Sequence, residues 1–102
     1  MVEELTDANF ETAISSGLVV VDFWNEGCPP CDMYAPIFEE VSKVYPDVKF
    51  AKIEAREAPI SSSKYGVMAT PTTLFFKDGQ KVDELLGAKS AEELKNKVET
   101  HK

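Results

Sequence analysis

Leu18 to Val21 are apolar without a break, and after Asp22 the run resumes at Phe23 and Trp24. A β-branched and aromatic stretch with no polar alternation predicts a strand covered on both faces, in the middle of a sheet. Asp22 is conspicuous inside it. Val48 to Ala55 reads as a second buried strand, in which Lys52 is the odd polar member. Between them, Cys28 to Tyr45 carries Met33, Ile37, Val41 and Val44 at helical spacing with Phe38 beside them, which predicts a helix, kinked at Pro36. Upstream, Phe10, Ala13 and Ile14 lie on one face of a short helix that Thr6 or Asp7 can cap and that ends before Gly17. Downstream, Pro59 suits a first helical position and Gly66 a C-terminal cap, so Ile60 to Tyr65 is predicted as a short helix.

Thr72 to Lys77 and Lys81 to Leu86 form a predicted antiparallel hairpin around Asp78-Gly79. Ser90 with Glu93 makes a capping box for a last helix with Ala91, Leu94 and Val98 inward. Val2 to Leu5 adds a short edge strand. Strands alternating with helices before a terminal hairpin imply an α/β architecture: a central mixed sheet of four to five strands with helices on both faces.

At 102 residues, 43% of them apolar, the chain has the size and composition of one globular domain over residues 1–102. The core such a chain builds needs no disulfide or metal staple, so its cysteines are free for chemistry. With 11 Lys and Arg against 18 Asp and Glu, the net charge is −7. No cationic cluster exists to displace phosphate counterions, so nucleic acid is not an expected partner. No apolar run approaches the ~20 residues of a membrane span, and the acidic start, Met1-Val2-Glu3-Glu4, is no secretory signal. The expectation is a monomer in the cytoplasm.

The chemistry concentrates at Cys28-Pro29-Pro30-Cys31, where a buried strand ends and a helix begins. Unpaired N–H groups and the helix dipole stabilise a thiolate there, which makes Cys28 the expected nucleophile with a depressed pKa. A spacing of three puts Cys31 on the same face, close enough for a small-ring disulfide that opens and closes by thiol exchange. Pro29 and Pro30 lack N–H groups, so the first-turn donors expected to remain are those of Cys31 and Asp32. A zinc half-site would need four ligands, and only His101, second from the end, could join the two cysteines. Inert cysteines fit a solvent-facing, proline-lined helix start poorly. No metal and no cofactor are expected.

The same chain resembles the thioredoxin family over nearly its whole length. The resemblance is carried by Val21-Asp22-Phe23-Trp24, Cys28-Pro29-Pro30-Cys31, Ala35-Pro36, Lys52, Lys64-Tyr65-Gly66-Val67, Thr70-Pro71-Thr72, Phe75-Phe76-Lys77-Asp78-Gly79 and Gly87, in that order. It implies a thioredoxin fold and dithiol–disulfide exchange on protein disulfides. Cys28 would attack the substrate and Cys31 would resolve the mixed disulfide, with a thioredoxin reductase, NADPH-linked or other, recycling the site. Asp22 would be the buried acid serving the resolving cysteine, its pKa raised by desolvation, and Lys52 its partner on the next strand. Thr70-Pro71 would be the cis proline, with the backbone at Ala69 and Thr70 pairing with an extended substrate, and Trp24 the active-site tryptophan.

Three departures carry consequences. Pro29 occupies the position where the family usually has glycine, and Gly27 one where an aromatic is common, so the rim at Gly27, Pro29, Pro30 and Pro71 is expected to be flat and apolar. Asp32 stands where lysine is common, and its charge predicts a Cys28 pKa less depressed than is typical. The rival readings are a disulfide oxidase or isomerase, a glutaredoxin-like enzyme, and a non-catalytic thioredoxin-fold binding subunit.

Overall fold

The computed structural model describes residues 2–102. Five strands, β1 (Val2–Leu5), β2 (Leu18–Trp24), β3 (Lys49–Glu54), β4 (Thr72–Lys77) and β5 (Gln80–Leu86), form one sheet in the order β1-β3-β2-β4-β5. β2 is central and runs parallel to β3 and antiparallel to β4, while β1 adds a parallel edge beyond β3. The four helices are α1 (Phe10–Ala13), α2 (Pro29–Val44), α3 (Pro59–Lys64) and α4 (Ala91–His101), and a 3-10 turn at Ala55–Glu57 precedes α3. Among the described residues, no helix is long and apolar enough to cross a membrane.

Strand parity decides what each face of the sheet holds. Val19, Val21 and Phe23 of β2 point to a core shared with Phe10, Ile14, Ile53, Leu74 and Phe76, on the α1 and α3 side. Val20 points the other way, to Phe38 and Val41 of α2 and Leu94 and Val98 of α4, together with Phe50 and Phe75. Asp22, two residues after Val20, therefore faces α2. Lys52 follows Phe50 and Thr73 precedes Phe75 by the same step, so both share that face, and the register pairs Asp22 with each of them. The lone acid of an apolar strand is thus built into the α2 side of the sheet.

The predicted elements form with four local differences. α2 buries Cys31, Tyr34, Phe38, Val41 and, at its C-cap, Tyr45, whereas the expected core positions Met33 and Val44 are 71% and 53% exposed. The true stripe runs through the tyrosines, whose rings count as apolar surface, and α2 continues through Pro36. α1 has Asn9 at its cap position with no side-chain cap bond. Asp7 serves α3 instead, accepting from the Ile60 N–H at 3.0 Å and the Ser61 N–H at 2.8 Å. The 3-10 turn at Ala55–Glu57 replaces the end of the predicted second strand. Finally, the hairpin begins its second strand at Gln80 and carries an irregularity between Phe75 and Phe76, with Asp78 and Gly79 both at positive φ. At φ +88 in this turn, Gly79 adopts a conformation that side chains rarely take.

The Tyr34 hydroxyl pins α2 to the sheet through a 2.8 Å hydrogen bond with Thr73 Oγ1 in a fully buried setting. Tyr34→Phe leaves the Thr73 hydroxyl without a partner and is expected to cost about 1 to 3 kcal/mol, read as a lower denaturant midpoint at unchanged slope. An unchanged midpoint would show that this bond contributes nothing net.

Candidate functional site

The site lies where β2 ends at Trp24 and the chain turns through Asn25, Glu26 and Gly27 into α2. Gly27 sits at φ +76, which a side chain would oppose, so the turn demands glycine where an aromatic was the family expectation. Cys28 is the N-cap of α2 with extended backbone, and Pro29 and Pro30 fill the first two helical positions. Cys28 and Cys31 are joined by a disulfide with their Cα atoms 5.2 Å apart.

The two sulfurs are not equivalent. Cys28 is half-buried and borders solvent, whereas Cys31 is only 3% exposed. The Cys31 N–H donates to Cys28 Sγ at 3.3 Å. The Asp32 N–H, expected to serve the site as a second donor, donates to the Cys28 carbonyl at 3.0 Å. With two prolines ahead of it, the first turn therefore offers the sulfur one backbone donor. Asp32 itself is exposed.

Behind Cys31 lies a cavity of about 110 Å³ lined by Asp22, Trp24, Cys31, Asp32, Ala35 and Lys52. Asp22 is 3% exposed, and its Oδ1 has no hydrogen-bond partner among the described residues. Burial pushes its carboxyl up to about 7, while Lys52 pulls the other way. Lys52 is not locked onto the carboxylate: its Nζ stands 5.7 Å from the centre of the Trp24 ring, in cation–π range. A second cavity of about 290 Å³, lined in part by Asp22, Lys52 and Glu39, continues from there. Glu39, whose Oε2 is buried with no partner among the described residues, carries no mark in the sequence, where nothing distinguishes it from other helix-surface acids.

On the other side of Cys28 stands the β4 approach. The Thr70-Pro71 peptide is cis. Cys28 Sγ is 3.7 Å from the Thr70 carbonyl oxygen and 3.6 Å from the Thr70 hydroxyl. The Ala69 carbonyl accepts the Thr72 hydroxyl at 2.6 Å. Pro71 is buried, so it does not form the apolar rim expected of it. It directly precedes β4, and its carbonyl accepts the Gly87 N–H at 2.9 Å, which ties it to the segment after β5. The exposed members are Gly27, Pro29, Pro30 and Ala69, with Met68, 95% exposed, beside them in sequence.

A solvent-facing sulfur bonded to a buried one, with a carboxyl near neutrality behind it, can take up and return an electron pair through a single bond. The class this defines is the thiol–disulfide oxidoreductases. Residues 1–100 match the family model described as Thioredoxin. The thioredoxin of Listeria monocytogenes is 43% identical over 95 residues, covering 92% of each chain. That of Listeria innocua is likewise 43% identical over 95 residues, covering 92% of each chain, and that of Staphylococcus aureus is 39% identical over 99, covering 96% of this chain and 95% of its own. The chain belongs to the thioredoxin family, and its five-stranded mixed sheet with flanking helices is the thioredoxin fold.

Proposed function

We propose that this thiol–disulfide oxidoreductase reduces protein disulfides through Cys28 and Cys31, as one domain over residues 1–102. The Cys28 thiolate attacks a substrate disulfide, forming a mixed disulfide and expelling one substrate thiolate. Cys31 then gives up its proton toward Asp22 and attacks Cys28 Sγ, expelling the second substrate thiolate. The substrate gains two electrons and the protein is left with the Cys28–Cys31 disulfide. Lys52 biases the charge of Asp22 from the adjacent strand. Trp24 shapes the cavity behind the sulfurs, Gly27, Pro29 and Pro30 shape the surface beside them, and the buried Pro71 fixes the adjoining backbone at Ala69 and Thr70, which receives an extended substrate segment. Recycling falls to a thioredoxin reductase, with the protein acting as a monomer in the cytoplasm. The observation that carries this reading is the asymmetry of the two sulfurs, one within reach of a substrate and one buried over an acid.

The equilibrium potential of the Cys28–Cys31 couple, titrated against a defined thiol buffer, tests the direction of the reaction. The expected value is near the ~−270 mV of thioredoxin. A value between roughly −200 and −120 mV would instead place the couple among glutaredoxins and disulfide-forming oxidases, and the reductase reading would fall.

A further inference from the structure

Asn25 joins three distant parts of the chain at the site. Its side-chain oxygen accepts the Arg56 N–H at 3.1 Å, and its side-chain nitrogen donates to Thr70 Oγ1 at 3.4 Å. A backbone N–H can only donate, so the amide oxygen must face Arg56 and the NH2 must face Thr70. Thr70 Oγ1 in turn lies 3.6 Å from Cys28 Sγ. A hydroxyl has one proton, and with its oxygen already receiving the Asn25 amide proton, its own O–H is left to point at another acceptor. The sulfur is that acceptor.

We propose that Asn25 is a positioning residue that aims the Thr70 hydroxyl at Cys28, giving the thiolate its second hydrogen-bond donor. The inference rests on the reading above that Cys28 is the attacking sulfur. Its weight comes from scarcity: Pro29 and Pro30 have no N–H, the Asp32 N–H is taken by the Cys28 carbonyl, and only the Cys31 N–H remains on the helix. A hydrogen bond to the charged form favours it and lowers the thiol pKa. The charged groups around the sulfurs are Asp32 on α2, Asp22 on β2 and Lys52 on β3 behind Cys31, with Glu26, Glu54 and Arg56 about the Trp24–Cys28 turn. Thr70→Val removes no bond to any of these groups, whereas Asn25→Ala also releases the Arg56 N–H, and the double variant separates that loss from the effect of the hydroxyl.

The pH profile of Cys28 alkylation in the reduced protein, with the modified residue identified by peptide mass, is the test. Thr70→Val removes the O–H at nearly constant volume and is expected to raise the midpoint by about one unit, a roughly tenfold loss of thiolate at a pH below it. Because a more basic thiolate is also more nucleophilic, with a Brønsted slope of about 0.4 to 0.5, the rate below the midpoint falls only about threefold and the high-pH plateau rises about threefold. Simple structural damage would not raise the plateau. Thr70→Ser keeps the wild-type profile, and Asn25→Ala gives a smaller rise of the same sign by freeing the rotor. In the Thr70→Val background, Asn25→Ala adds nothing. An Asn25→Ala midpoint equal to wild type, or an equal shift by Asn25→Ala with and without the Thr70 hydroxyl, overturns the inference. If the wild-type protein shows Cys31 reacting ahead of Cys28, the underlying assignment of the nucleophile fails instead.

Discussion

Cys28→Ser is expected to reduce no protein disulfide, while Cys31→Ser makes the first attack and stops there. The difference follows from access. A substrate sulfur can approach Cys28 from solvent, whereas Cys31 is 3% exposed and faces the cavity behind it. A serine at position 28 offers a hydroxyl that is almost wholly protonated and a poor nucleophile toward sulfur, so turnover drops to the background of the uncatalysed thiol reaction. A serine at position 31 leaves the nucleophile and its helix-cap setting intact but removes the group that resolves the intermediate. That variant should accumulate a covalent adduct with an oxidised client protein, seen by mass and released by a small dithiol. An adduct on Cys28→Ser with none on Cys31→Ser would reverse the two roles.

Much of this arrangement is legible because it is written in local pattern. A polar residue inside a run such as Leu18 to Trp24 stands out from its neighbours in the sequence alone, and strand parity sets Asp22 beside Lys52 once the two strands pair in register. The cysteines are legible because a strand end, a glycine, two prolines and a spacing of three are all short-range features. The capping box at Ser90 and Glu93 forms as read, since both partners lie within one turn.

What escapes the sequence depends on contacts between distant segments. Asp7 looks like a cap for the helix three residues ahead of it, yet its carboxylate reaches across to Ile60 and Ser61, where α3 starts behind a proline and lacks a side-chain cap of its own. The stripe of α2 departs from the apolar periodicity because Met33 and Val44 are more apolar than Tyr34 and Tyr45, while the sheet beneath offers Thr73 to a tyrosine hydroxyl and nothing to a methionine. Asn25 sits in a turn where asparagine is commonplace. Its bonds to Arg56 and Thr70 span 31 and 45 residues, so no local pattern could distinguish it from a turn former.

Asp22→Asn is expected to give a protein that is both more stable and slower. The carboxyl titrates at about 7 in the fold against an ordinary 3.8, because burial disfavours its charge more than Lys52 restores it. Below roughly pH 4 the acid is neutral folded and unfolded, and it costs nothing. Between that point and about pH 7 the unfolded chain releases the proton while the folded one holds it, and each pH unit removes about 1.4 kcal/mol of stability. Above pH 7 the folded protein carries the buried charge as well, and the loss levels off at about 4 kcal/mol. Asparagine never ionises, so oxidised Asp22→Asn should match wild type in urea at pH 4 and exceed it by on the order of 4 kcal/mol at pH 8. Parallel stability curves at both pH values would mean that the native carboxyl is not held neutral by burial. At pH 8 the same ionised carboxylate is what can accept the proton of Cys31, and asparagine cannot. Resolution of the mixed disulfide should therefore slow in the variant while the first attack, made at Cys28 on the far side of the disulfide from this cavity, keeps its rate. The energy that the fold forfeits at neutral pH by burying an acid beneath Cys31 is what holds a proton acceptor ready where water has little access.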